Sequence, residues 1–205
     1  MKYISAVILL AISFNIYLAE LTPIDNKVDI INSINKKAIS IKTISCYFQS
    51  DKHYSDEKSQ SSGDFYFKSK KQIRWKYTKP SKHDFIINGN KISIKDDSNF
   101  DEYEMKYDPI FVLTNKLILS YYDGKIFNSE KYLITFSDKK THYTFILIPK
   151  SNKTSDIIQS IKLDFNKIDS GLIGIKLEQN SKEYTSINFG LRIVNSKLDK
   201  DIFKF

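Results

Sequence analysis

The 205-residue chain is one domain by length, and its 41% hydrophobic and 27% charged residues exclude an intrinsically disordered polypeptide, because that much apolar surface collapses into a core. One cysteine, Cys46, excludes an internal disulfide, so stability has to come from packing. The formal charge is +8, or +7 once residues 1–19 with their single Lys2 are set aside; the lysines are spread through turns with no nucleic-acid motif, which reads as a solvated surface with weak attraction to anionic headgroups or an acidic partner.

The N-terminus has the layout of a signal peptide. Lys2 is a short positive region, Ile4–Ile12 is an apolar run broken only by Ser5, and Tyr17-Leu18-Ala19 ends in a small residue before Glu20. The run is too short to span a bilayer. Cys46 is far from the cleavage point, so no lipid-anchor acceptor lies near the new N-terminus. The expectation is export, cleavage after Ala19 and one soluble domain over residues 20–205; the alternative is a buried N-terminal helix.

Val28, Ile31, Ile34, Ala38 and Ile41 recur at helical spacing, which predicts an amphipathic helix over residues 26–42 capped by Asp25 or Asn26. Thirteen Tyr and 14 Phe against 6 Gly and 4 Pro favour strands for the remainder. Strands are predicted at Ile44–Gln49, with Cys46 a small buried hydrophobe, at Asp64–Lys68, and around Ile73, Trp75 and Tyr77. Pro80 breaks the chain. Asp84–Asn88 and Lys91–Lys95 flank Asn88-Gly89-Asn90, a hairpin signal, and Phe100–Tyr107 is a further strand. Asp108-Pro109 opens a helix, with Asp as cap and Pro at the first helical position, and Ile110, Leu113, Leu117 and Tyr121 share a face. Strands follow at Tyr132–Ser137, His142–Ile148, Ser160–Phe165, Gly174–Gln179 and Tyr184–Phe189, with a last one near Ile202–Phe205.

The fold class is mainly β with helices (α+β): an incomplete antiparallel β-barrel of about ten or eleven strands. Phe85-Ile86-Ile87 and Tyr143–Ile148 carry apolar residues on both faces. A sheet with one wet face alternates instead, so a helix is expected over one face and a second sheet or a cavity against the other.

Chemistry-bearing motifs are sparse. His53, His83 and His142 lack metal-ligand spacing, and no nucleophile elbow, phosphate loop or zinc-helix motif is present. Asp96-Asp97 and Asp101-Glu102 read as turn or exposed-strand carboxylates. The absence of such motifs lowers the enzyme reading without removing it, and the expectation is a protein that is not an enzyme and needs no cofactor.

Gly63–Asp96 reads GDFYFKSKKQIRWKYTKPSKHDFIINGNKISIKD. With Arg74-Trp75-Lys76-Tyr77, Pro80 and Asn88-Gly89 it resembles the outer-membrane lipoprotein carrier proteins (LolA). Tyr47-Phe48-Gln49 upstream, Asp108-Pro109 with Leu113, and Phe145–Lys150 downstream resemble further family motifs, in order over nearly the whole mature chain. The resemblance implies an open barrel with a helical lid over an apolar cavity that holds lipoprotein acyl chains in the periplasm. Carried over by position, Ile73, Trp75 and Tyr77 would line it from the sheet and Ile110, Phe111 and Leu113 from the middle helix; periodicity alone makes all six ordinary core. Ser69-Lys70 stands where much of the family has Arg-Pro, whose arginine holds the lid, and Lys70 or Lys71 could replace it only as a point charge. The implied partners are lipoproteins, an inner-membrane ATP-driven extractor and an outer-membrane acceptor, for a monomer that binds no nucleic acid. The rival readings are a periplasmic lipid or lipoprotein sensor on the same fold and a secreted hydrolase.

Overall fold

The computed structural model describes residues 25–69, 71–89, 91–96, 100–104 and 108–205. The signal-peptide layout, Lys70, Asn90, Asp97 and Tyr107 lie outside these residues, and the side chains of Asp96, Asp101 and Glu102 are likewise not described.

The chain begins with helix α1 (Asp25–Ser40). An antiparallel meander follows: β1 (Thr43–Tyr54), β2 (Glu57–Lys68), β3 (Gln72–Lys79), β4 (His83–Asn88), β5 (Lys91–Asp96) and β6 (Phe100–Glu104). Helix α2 (Pro109–Tyr122) leads to a second meander of β7 (Tyr132–Asp138), β8 (His142–Pro149), the one-turn α3 (Asn152–Ser155), β9 (Ser160–Asn166), β10 (Leu172–Glu178) and β11 (Tyr184–Phe189), then a two-residue β12 (Ile193–Val194). β1 pairs with β11, which joins the two meanders into one sheet of order β6-β5-β4-β3-β2-β1-β11-β10-β9-β8-β7, with β12 beside β1. The expected strand number and antiparallel character hold. The edges β6 and β7 do not pair, so the barrel stays open.

That topology dictates where α2 must run. It connects the two opposite edges of the sheet, so it crosses the inner face. The inner face is apolar by simple alternation: Ile44, Cys46 and Phe48 on β1, Phe65 and Phe67 on β2, Ile73 and Trp75 on β3, Phe145 and Leu147 on β8, and Ile161, Leu163 and Phe165 on β9 are all buried. The ladder sets the neighbours, with Cys46 opposite Phe65, Phe65 opposite Trp75 and Trp75 opposite Phe85. Gly63 sits at a register shift in β2, where a Cβ would run into the Lys76 carbonyl, so the close approach of β2 and β3 requires glycine.

Helix α1 lies beside α2. Its buried stripe is Ile30, Ile34 and Ala38, whereas Val28 is 59% exposed, so Ile30 takes the place expected for Val28. Lys27 Nζ donates to Ile134 O of β7 at 2.9 Å, and the Ser33 and Ser170 hydroxyls are 3.3 Å apart. At the end of α2, Gly124 adopts φ +68 and a Cβ there would stand 2.6 Å from Ile39 Cδ1. A side chain would meet both a disfavoured backbone and the packed α1.

Two expectations are corrected. Residues 202–205 form no strand: Asp199 Oδ1 accepts from Asp201 N at 2.8 Å and Ile202 N donates to Asp199 O, so the backbone is committed to turns, and the last strand is β12. The second concerns strands apolar on both faces. On β4 the outer cover is the C-terminal segment: Arg74, the cross-strand neighbour of Ile86, donates to Ile202 O at 2.9 Å, pairs with Asp84 and lies 5.8 Å from the Phe205 ring centre. On the outer face of β8 no second sheet lies among the described residues. Ile146 and Ile148 are 37% and 42% exposed beside Leu133 on the edge strand, and this outer face meets solvent.

Candidate functional site

The site is built around α2. Asp108 Oδ1 accepts from Ile110 N at 2.8 Å and Pro109 occupies the first turn, the start expected from the sequence. The buried residues of α2 are Ile110, Thr114, Asn115, Leu117, Ile118 and Tyr121. Two of these are polar. Thr114 donates back to Ile110 O at 2.7 Å. Asn115 Nδ2 donates to Phe111 O at 2.8 Å, and its Oδ1 accepts from Trp75 Nε1 at 2.9 Å. The helix is thus fastened to the sheet by a side-chain hydrogen bond between two residues that are each 1% exposed. Farther along, Tyr121 Oη lies 3.4 Å from both Ser170 O and Leu172 N at the β9–β10 connection. Arg192 fixes that connection with bonds to Asp169 (2.7 and 2.9 Å) and to Leu172 O (3.1 Å).

Cavities lie on either flank of α2. On the side toward β1, β2, β3 and β11, one of about 180 Å³ is bordered by Trp75, Tyr77, Ile110 and Phe111 together with hydroxyl-bearing residues such as Ser61 and Thr185. On the other side, a groove of about 760 Å³ runs between α2, the loop after it, the start of β7 and α3. Its floor is Val112, Leu113, Leu117, Ile126, Tyr132 and Ile157. Ligand clefts usually fall between roughly 300 and 1,000 Å³, so the groove has the capacity and the smaller cavity does not. A third cavity, of about 290 Å³, lies where Ile39 and Ile41 meet Leu119, Tyr122 and Asp123 at the end of α2.

The six residues carried over as cavity lining therefore separate. Ile73 is fully buried and packed, and Trp75 is nearly so. Trp75, Tyr77, Ile110 and Phe111 come together at the small cavity, and Leu113 faces the large groove. Ser69 borders the third cavity, beneath the end of α2, with its backbone N–H on Lys42 O at 2.8 Å; Lys70 lies outside the described residues. Sequence reasoning missed Asn115. The available signal was a lone amide among the mainly apolar residues Phe111–Leu119 of a helix.

Electrostatics under the helix favour neutrality. Burial pushes Cys46, Tyr77 and Tyr121 each up to about 12, and burial raises Tyr122 well above the ordinary tyrosine value. These four groups stay protonated at any physiological pH, as suits an apolar interior. Among the described residues no three His, Cys, Asp or Glu side chains gather into a metal-binding group, and no helix is long and apolar enough to cross a membrane.

Residues 40–205 match the family described as outer membrane lipoprotein carrier protein LolA. No curated protein matches the chain. Among solved structures, an uncharacterized conserved protein from Thermus thermophilus superposes with a TM-score of 0.56 at 7% identity, over 88% of this chain and 93% of that one. A chain of the Pseudomonas aeruginosa MucA/MucB complex gives 0.53 at 10% identity, over 88% of this chain and 61% of that one. A LolA superfamily protein from Nitrosomonas europaea gives 0.45 at 9% identity, over 87% and 97%. At these identities the first two likenesses show a shared fold and nothing further.

Proposed function

Since the chain belongs to the LolA family of outer membrane lipoprotein carrier proteins, we propose that it is exported, loses residues 1–19, and carries lipoprotein acyl chains across the periplasm from the inner to the outer membrane. Residues 20–205 act as one monomeric domain without a cofactor. An inner-membrane ATP-driven extractor loads it, and an outer-membrane acceptor unloads it.

The observation that carries this reading is the 760 Å³ groove along α2 with its apolar floor. Burying a methylene contributes about 0.8 kcal/mol, so an acyl chain of about sixteen carbons is held in a membrane by roughly 12 kcal/mol. A carrier has to offer comparable apolar area and then release it. Helix α2 supports both needs. It has cavities on its two flanks, and lifting it would merge them and uncover Trp75, Tyr77, Ile110 and Phe111. The lining residues of the sheet become accessible only in that opened state. The loaded carrier keeps α2 displaced over the chains, and release lets Asn115 return to Trp75.

The test is native mass spectrometry of the protein purified from periplasm, with a Leu113→Glu variant in parallel. Leu113 is only partly buried, so the variant folds. The expected result is bound acylated cargo in the wild type and none in the variant. Cargo-free wild type that also fails to bind a fluorescent fatty acid would refute the proposal.

A further inference from the structure

The large groove has a chemistry that its apolar floor does not require. Five lysines line it: Lys116 on α2, Lys125 and Lys131 in the loop that follows, Lys150 just after β8, and Lys153 in α3. The acidic residue among the lining is Glu130 alone, leaving a net rim charge of four positive. All six charged residues are exposed. None of these five forms an ion pair among the described residues, and Lys150 Nζ donates to the Ser129 carbonyl at 2.8 Å. They come from separate segments, so the fold gathers them. Converging like charges repel, and an anion relieves that repulsion. Lysine suits the position because its methylene stem extends the apolar wall while its ammonium stays in water. Hydroxyls of Ser120, Ser151 and Thr154 line the same groove.

We infer that this groove takes an acyl amphiphile with an anionic phosphate headgroup: the tail along Val112, Leu113, Leu117 and Ile126, the phosphate at the lysine rim. The tail rests on the carrier reading above; the headgroup selectivity is additional to it. The same rim makes contact with an anionic lipid surface favourable, so loading and headgroup recognition use one set of charges.

The experiment is calorimetric titration of the full mature protein with dodecyl phosphate, dodecyl maltoside and inorganic phosphate, with both amphiphiles below their micelle thresholds. The comparison variant is Lys116→Gln/Lys131→Gln/Lys153→Gln, its fold checked by circular dichroism. An exposed charge contributes modestly, so the expected loss of dodecyl phosphate affinity is about twofold per lysine and about tenfold for the three. Dodecyl maltoside affinity should not change between the two proteins, and the dodecyl phosphate preference should shrink at high salt. Equal binding of both amphiphiles to both proteins overturns the headgroup inference and leaves the carrier reading standing. Inorganic phosphate binding as tightly as dodecyl phosphate overturns it in favour of a free-anion site. Failure of both amphiphiles to bind wild type overturns the carrier reading and this inference with it.

Discussion

Asn115→Ala is the substitution that isolates how α2 is held. It removes the acceptor 2.9 Å from Trp75 Nε1 and leaves that indole donor in a site where Trp75 is 1% exposed. An unsatisfied buried donor costs about 1–3 kcal/mol. The lost volume adds a small cavity, offset in part by alanine's helix propensity, worth about 0.5 kcal/mol over asparagine. The net expectation is about 1–3 kcal/mol, or a fall of roughly 2–12 °C in Tm for a chain of this size. The loss falls first on the helix, because Asn115 joins α2 to β3 and to nothing else outside its own turn. Hydrogen exchange of the α2 amides should therefore accelerate about fivefold to a hundredfold, since about 1.4 kcal/mol is tenfold in population. Amides of β9 should accelerate less. A double-mutant cycle with Trp75→Phe, read by urea unfolding followed by circular dichroism, should give a coupling of about 1–2 kcal/mol. Unchanged α2 exchange together with an unchanged urea midpoint in Asn115→Ala would show that the hydrogen bond does not hold the helix.

Ile73→Glu places a carboxylate at a fully buried position between Phe67 and Ile87; it should cost more than about 3 kcal/mol and prevent folding, and a folded variant by circular dichroism would mean the inner face is hydrated there. Ser69→Arg puts a guanidinium beside Asp123 and the C-terminal end of α2; attraction to the helix end, worth about 0.3–1 kcal/mol, should lower hydrophobic-dye binding to the empty protein, and unchanged dye binding in a folded variant would remove Ser69 from the lid. For acid stability, burial alone would raise Asp169, but hydrogen bonds from Arg192 and the Gly171 N–H, with the charges of Arg192 and Lys37, outweigh it and hold the carboxyl below its usual 3.8. Hydrogen bonds from Lys176 and then Ser160 lower Glu178 below 4.5 in the same way. With folded values below unfolded ones, both groups stabilise the fold above the carboxylate range, and that contribution is lost as pH falls through the lowered values. Urea midpoints should drop between pH 5 and pH 3, less so in Asp169→Asn; equal drops in both proteins would assign the acid sensitivity elsewhere.

Much of the architecture was legible because burial on one face writes a period into a strand. Phe65/Phe67 and Ile73/Trp75/Tyr77 announce their strands without any tertiary information, and Asp108-Pro109 announces α2 because a cap and a restrained φ act within one turn. The N-terminal half of β2 and the end of β1 were not legible. Ser50–Tyr54 and Glu57–Ser62 carry no apolar alternation and are held in the sheet by their ladder, from Ser50 opposite Ser61 to Tyr54 opposite Glu57. Composition and local pattern thus determined a mainly β, open antiparallel sheet with a helix across it, and the ordered motifs determined the family. Which side of α2 is hollow was decided only in three dimensions. Leu113 and Ile110 have equal claim to the core by helical spacing, but Ile110 turns to the sheet while Leu113 turns to the groove, because the position of β7 and α3 relative to α2 is a long-range property. The gathering of Lys116, Lys125, Lys131, Lys150 and Lys153 is equally a product of the fold: a charge spaced along the chain carries no record of which surface it will share.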